Sequence, residues 1–97
     1  MLFIATCIDQ PDGAAVRQEN RPAHLAYLAS LGPKARAAGA LLSADQRAVV
    51  GSLLIFEAAD AAEVAALLAA DPYAKAGLFA TVDVKPWRQA VGVALAG

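Results

Sequence analysis

The sequence predicts an α+β domain in which two helices cover one face of a four-stranded antiparallel sheet. Three observations lead there. Residues 2–8 (Leu-Phe-Ile-Ala-Thr-Cys-Ile) form an apolar run rich in β-branched and aromatic side chains that ends in the turn-like Asp9-Gln10-Pro11-Asp12-Gly13, as a buried strand does. Two later stretches carry apolar residues at helical spacing, Leu25/Leu28/Leu31 and Val64/Leu67/Leu68. Further strand patterns follow each helix, so the order reads strand, helix, strand, strand, helix, strand. With right-handed crossovers this is a ferredoxin-like βαββαβ arrangement.

Each element has its own signals. The first helix is expected over residues 17–38, with Asn20 ahead of Arg21-Pro22 as the N-cap of its main body and Gly32-Pro33 as a kink or restart. Gly39 is its expected C-cap, residues 40–44 a short strand and Asp45-Gln46-Arg47 a turn. Residues 49–57 are the clearest second strand pattern, with Gly51 marking a bulge or a close backbone approach. Asp60, with Glu63 three residues on, caps a helix over residues 61–70 that Asp71-Pro72 ends, with a short turn at residues 73–76. Residues 78–85 complete the sheet. Strict alternation there places Phe79, Thr81, Asp83 and Lys85 on one face and Ala80, Val82 and Val84 on the other. Trp87 follows Pro86 and anchors a C-terminal extension, residues 87–97, of a single domain spanning residues 1–97.

Composition narrows the function classes. The 97 residues are 59% hydrophobic and 18% charged, with a net charge of -1, so neither nucleic acid nor anionic lipid has a basic surface to meet. The opening apolar run stops at Asp9, has no basic flank and is too short to span a membrane. One cysteine, Cys7, and one histidine, His24, give neither an intrachain disulfide nor a zinc-finger ligand set, and no metal or nucleotide cofactor motif is present. A cytoplasmic protein without a cofactor is the expectation. Alanine supplies over a quarter of the chain and contributes little side-chain area to a core. Phe3, Ile4, Leu53, Leu54, Ile55 and Phe56 direct apolar groups to both faces of the sheet, so a homodimer is expected to cover the face without helices.

His24 is the first candidate for chemistry, because imidazole alone titrates near neutrality when unperturbed. At 100° per residue, positions 17, 21, 24 and 28 share a helix face, which groups Arg17, Arg21 and His24 above Leu28, although Pro22 argues against extending the helix back to Arg17. Asp71, at the end of the second helix, is a candidate to orient the imidazole and leave its other nitrogen as a base. Arg17 or Arg21 would then stabilise an enolate, phenolate or carboxylate. Tyr73 and Phe79 are candidates to line an aromatic-binding cavity, and Ser43 is a candidate ligand contact at a strand end. Each has a plain alternative: a helix-end histidine bonded to backbone, core aromatics, a structural hydroxyl. Cys7 reads as inert packing.

Beyond these patterns, the segments Arg21-Pro22-Ala23-His24-Leu25-Ala26-Tyr27-Leu28, Gly39-Ala40-Leu41-Leu42-Ser43, Gly51-Ser52, Asp71-Pro72-Tyr73-Ala74-Lys75-Ala76-Gly77-Leu78 and Val84-Lys85-Pro86-Trp87 together resemble the YciI-like (YCII-related) proteins over nearly the whole chain. The resemblance implies a dimeric alpha-beta barrel built from ferredoxin-like subunits. It also implies an active site made by a histidine and an aspartate, carried onto His24 and Asp71, with Arg17 and Ser43 in the pocket. One branch of the family removes chloride from a hydroxylated chloroaromatic ring, which implies elimination or isomerisation of a small aromatic or carboxylated substrate. Residues 44–50 depart from the family pattern, being more compact than the glycine- and proline-rich excursion of many relatives. Two further readings stand beside the lyase or isomerase: a dimeric ligand-binding or accessory protein without turnover, and a mainly structural dimer.

Overall fold

The computed structural model describes residues 1–95. The chain runs through β1 (Leu2–Asp9), α1 (Ala14–Ser30), β2 (Ala35–Leu42), β3 (Val49–Glu57), α2 (Ala61–Ala69), the one-turn α3 (Pro72–Lys75) and β4 (Phe79–Trp87), with a 3-10 turn at Gly32–Lys34 before β2. All strand pairs are antiparallel and the order is β2-β3-β1-β4, the ferredoxin-like order. The two most apolar strands, β1 and β3, take the centre, where both faces can be covered.

Alternation along these strands builds the core. Phe3, Ala5 and Cys7 of β1 pair with Phe56, Leu54 and Ser52 of β3 and share the face that meets Val64 and Leu68 of α2 and Leu28 of α1. Gly51 is held to β1 so closely that a Cβ there would collide with the carbonyl oxygen of Cys7. Asp60 caps α2 by accepting from the Glu63 N–H at 2.8 Å, while a Glu63 carboxylate oxygen accepts from the Ala59 N–H.

The expected dimeric alpha-beta barrel does not hold. The sheet is open, with β2 and β4 as unpaired edges on opposite sides. Closure requires every edge to be consumed and about eight strands around a filled interior, whereas here four strands form one layer and the helices another.

Three element boundaries also differ from expectation. The first helix begins at Ala14 with Gly13 as N-cap, carries Pro22 inside it and ends at Ser30. Residues 35–38, expected to be helical, instead open β2, where pairing to β3 from Ala35↔Phe56 outweighs the helix propensity of alanine. The last strand continues through Pro86 and Trp87, paired to Phe3 and Leu2; an edge strand tolerates proline because the missing donor faces outward. A register shift between Ile8 and Asp9 pairs Asp9 with Phe79 and breaks the simple alternation. Phe79 therefore packs against the core with Val84 rather than on the opposite face with Thr81. The final two positions of the expected C-terminal extension, 96 and 97, lie outside the described residues.

Candidate active site

His24 is 6% exposed and comes from the middle of α1; Asp71 is 1% exposed and lies between α2 and α3. Asp71 holds that place because its Oδ1 caps α3, accepting from the Tyr73 N–H at 2.9 Å, while Pro72 occupies the first helical position. Both Asp71 oxygens lie 2.9 Å from His24 Nδ1. A carboxylate can only accept, so Nδ1 carries the proton and, in the neutral ring, Nε2 keeps its lone pair. Nε2 has no hydrogen-bond partner among the described residues.

The Tyr73 ring stacks on the imidazole with centroids 3.8 Å apart and planes 13° apart, which limits rotation of the histidine. The Arg17 guanidinium lies 4.7 Å from the centroid of the same tyrosine. Arg17 is anchored from behind by Asp9: Nε donates to Oδ2 at 2.7 Å and Nη2 to Oδ1 at 2.9 Å, and Nη2 also donates to Ser52 Oγ at 2.8 Å. Burial works against the Arg17 charge, but the hydrogen bond and charge of Asp9 prevail and hold its pKa above the ordinary arginine value. Burial likewise raises the Tyr73 phenol, with Arg17 acting in the opposite direction.

A cavity of about 140 Å³ opens beside this cluster. Its polar wall is made by Arg17, Arg21, His24, Tyr73 and Ser52; Leu25, Leu28 and Leu54 form the apolar wall, and the small residues at positions 38–40 of β2 leave the space open. A cavity of about 150 Å³ holds a benzene-sized ring, so one aromatic ring matches this volume. A larger groove, about 740 Å³, runs between Met1, Leu2 and the segment after β4, and contains neither His24 nor Asp71.

Five of the seven candidate side chains meet here: Arg17, Arg21, His24, Asp71 and Tyr73. Arg17 does so because α1 continues through Pro22 and keeps its one-face spacing. Ser43 lies elsewhere, at the turn after β2, where its hydroxyl donates to Asp45 at 2.7 Å. Phe79 touches the edge of the Tyr73 ring, 6.2 Å between centroids, but lines a separate apolar groove with Leu68 and Val82. Sequence reading missed Asp9 and Ser52. Ser52 has a sequence signal, since it occupies the same alternating positions as Leu54 and Phe56 and is thus a polar residue aimed at the core. Cys7 is fully buried and its thiol is pushed up to about 11, by burial first and then by Asp71 and Asp9, which removes it as a nucleophile.

These features define a class: a small two-layer α+β protein whose one buried histidine is held by a buried carboxylate against a ring-sized cavity. Comparison with known proteins makes the class specific. The YCII-related domain family matches residues 1–88, and the chain belongs to it. It is 36% identical over 98 aligned positions to Protein YciI of Escherichia coli, covering 92% of this chain and 98% of that one, and to the same extent to Protein YciI of Shigella flexneri. A solved relative is the 5-chloro-2-hydroxyhydroquinone dehydrochlorinase TftG of Burkholderia phenoliruptrix in complex with 2,5-dihydroxybenzoquinone. It is 40% identical with a TM-score of 0.85, over 93% of this chain and 96% of that one.

Proposed function

We propose that this protein is a cofactor-independent lyase or isomerase acting by acid-base chemistry on a small aromatic or carboxylated substrate, with elimination from a hydroxylated ring as the leading reaction. The observation that carries this is the His24 Nδ1–Asp71 contact, with both oxygens at 2.9 Å, beside a cavity of single-ring size. Similarity to the dehydrochlorinase supports the reaction class. Asp71 fixes the tautomer and orientation of His24, and Nε2 accepts a proton from a ring hydroxyl. For a chlorinated hydroxyhydroquinone the steps balance as net loss of HCl. Two phenolic protons leave, the ring carbon bearing chlorine gains one as the ring ketonises, and chloride departs with the C–Cl bonding pair, giving a hydroxyquinone. Arg17 and Arg21 offset the negative charge that develops on oxygen. His24 and Asp71 are the catalytic pair in this reading, and Arg17, Arg21 and Tyr73 contact the substrate; Ser43 and Phe79 have no part in it.

A homodimer belongs to the same proposal. Ile4, Ile8 and Leu53 lie on the sheet face without helices, a surface a second copy can cover. Among the described residues no helix is long and apolar enough to cross a membrane. A cytoplasmic location agrees with the free, buried Cys7 thiol.

The test is chloride release and quinone absorbance with 5-chloro-2-hydroxyhydroquinone as substrate, in the wild type and in His24→Ala. Turnover that the substitution abolishes supports the assignment. Ring binding without turnover in the wild type would replace it with the ligand-binding reading.

A further inference from the structure

We propose that the groove of about 740 Å³ at the C-terminal end of β4 is a second binding site, separate from the His24 cavity. Its ligand is a small apolar carboxylate, a carboxyl group on a medium-length hydrocarbon chain, held by Arg88 with the chain lying along Trp87. The site stands independently of the reaction assigned to His24.

Volume separates the two sites. The groove is roughly five times the size of the cavity beside His24 and falls in the range of pockets that enclose drug-sized ligands. One wall comes from the end of the sheet, where Trp87 pairs with Leu2 and Pro86 precedes it on β4. The other wall is the segment after residue 88, where the match to the YCII-related family ends, so this wall lies outside the shared domain.

One side chain shapes that segment. Gln89 Nε2 donates to the carbonyl oxygens of Val91 at 3.0 Å and Val93 at 2.5 Å, and its Oε1 accepts from the Leu95 N–H at 2.9 Å. Gly92, at φ +97°, makes the bend in a conformation that other residues rarely adopt. The wall is therefore ordered before any ligand arrives, which lowers the cost of binding one. Yet Val91, on that wall, is 86% exposed. A segment held in one shape by polar bonds, with its apolar side chain in water, gains hydrophobic stabilisation when an apolar group covers it.

Charge selects the ligand. Leu2, Pro86, Trp87 and Val91 offer apolar contact, Arg88 is the one charged side chain of the lining, and no carboxylate side chain lines the groove. Among the described residues no carboxylate lies within ion-pair distance of Arg88. A guanidinium presents two parallel N–H donors that match one carboxylate. An apolar chain ending in a carboxylate satisfies both parts of the groove. An alkylammonium meets like charge at Arg88, and an alcohol leaves the guanidinium without a counter-ion.

Trp87 is the only tryptophan of the chain, so its fluorescence reports on this groove directly. The full chain is titrated with octanoate, octanol and octylammonium, each below the concentration at which it aggregates, while tryptophan emission and the His24 imidazole resonances are followed. Octanoate is expected to give a saturable emission change without shifting His24, at roughly threefold to tenfold higher affinity than octanol. Arg88→Gln, at an exposed position away from the core, should remove that advantage and leave octanol binding unchanged. Gln89→Ala, which frees the wall, should weaken octanoate and octanol alike. Equal affinity for the two, an advantage that survives Arg88→Gln, or no saturable change overturns the site. A His24 shift that tracks the emission change puts the ligand in the catalytic cavity and overturns it as well. Emission that changes with protein concentration alone and resists all three ligands overturns it in favour of a second copy seated on the groove.

Discussion

Replacing Asp71 by asparagine and by alanine separates its structural duty from its chemical one. Alanine removes the α3 cap, a loss of about 1 kcal/mol, and leaves the His24 Nδ1–H buried without an acceptor, about 1–3 kcal/mol more. The charge-assisted part of the bond adds to this, so the total is about 3–5 kcal/mol. Asparagine keeps Oδ1 for the Tyr73 N–H and turns its NH₂ toward His24. The imidazole can meet that donor only by moving its proton from Nδ1 to Nε2, which restores the hydrogen bond at a cost of about 1 kcal/mol. The gap between the variants is then about 2–4 kcal/mol. In a domain of 97 residues each kcal/mol moves the midpoint by about 4–8 °C, so Asp71→Asn should melt roughly 8–30 °C above Asp71→Ala. Yet the asparagine variant should lose turnover by roughly 10²–10⁴, because Nε2 now holds a proton and cannot take one. Thermal unfolding by circular dichroism reads the first effect, and long-range ¹H–¹⁵N correlation of the imidazole reads the tautomer. Equal melting of the two variants, or a proton still on Nδ1 in Asp71→Asn, would refute the reasoning.

Two other outcomes follow from the core. The Cys7 thiol, raised from 9.0 to about 11 in the fold, contributes stability that is complete below pH 9 and is lost as the pH rises toward 11, at up to about 1.4 kcal/mol per pH unit. Denaturant titrations of wild type and Cys7→Ala across that window should diverge in slope, and parallel slopes would count against a buried neutral thiol. Gly51→Ala drives a Cβ into the Cys7 carbonyl, a backbone atom that cannot move without parting β1 from β3; a loss of more than about 3 kcal/mol in chemical unfolding is expected, and a near-neutral result would show that the strands can separate there.

The elements with strong periodic or capping signals are legible in the sequence. β3 matches its expected bounds, and α2 is capped by Asp60 as its spacing indicates. What failed was local reading where tertiary pairing decides: the alanine-rich residues 35–38 have helix propensity but are claimed by β3, and the bulge at Ile8/Asp9 changes the face of Phe79 without leaving a mark in the sequence. At the site, one-face helix spacing grouped Arg17, Arg21 and His24. Asp71 is a candidate orienter from its helix-end position alone, the family resemblance pairs it with His24, 47 positions away, and only the fold brings the two together. Ser43 drew attention as a strand-end hydroxyl, whereas Ser52, hidden among Leu53, Leu54 and Phe56, is the serine the cavity contains. Asp9 looked like a turn residue. A cation as enclosed as Arg17 demands a carboxylate, but neither side chain reveals that burial until the helix and strand are packed.

Pro86 near the end of β4 bears on how the molecule avoids aggregation. An outer strand normally offers a free row of N–H and C=O groups onto which a foreign strand can add, and Pro86 deletes one donor from that row while the exposed charges of Asp83 and Lys85 flank it. The opposite edge, β2, runs Ala-Arg-Ala-Ala-Gly-Ala-Leu-Leu, with no proline and a single charge. The two borders of the sheet are therefore unequally defended. Templated strand addition at high concentration is directed to β2, and a second charge or a proline on its outward side, away from residues 38–40 that line the His24 cavity, is the change that would improve solubility.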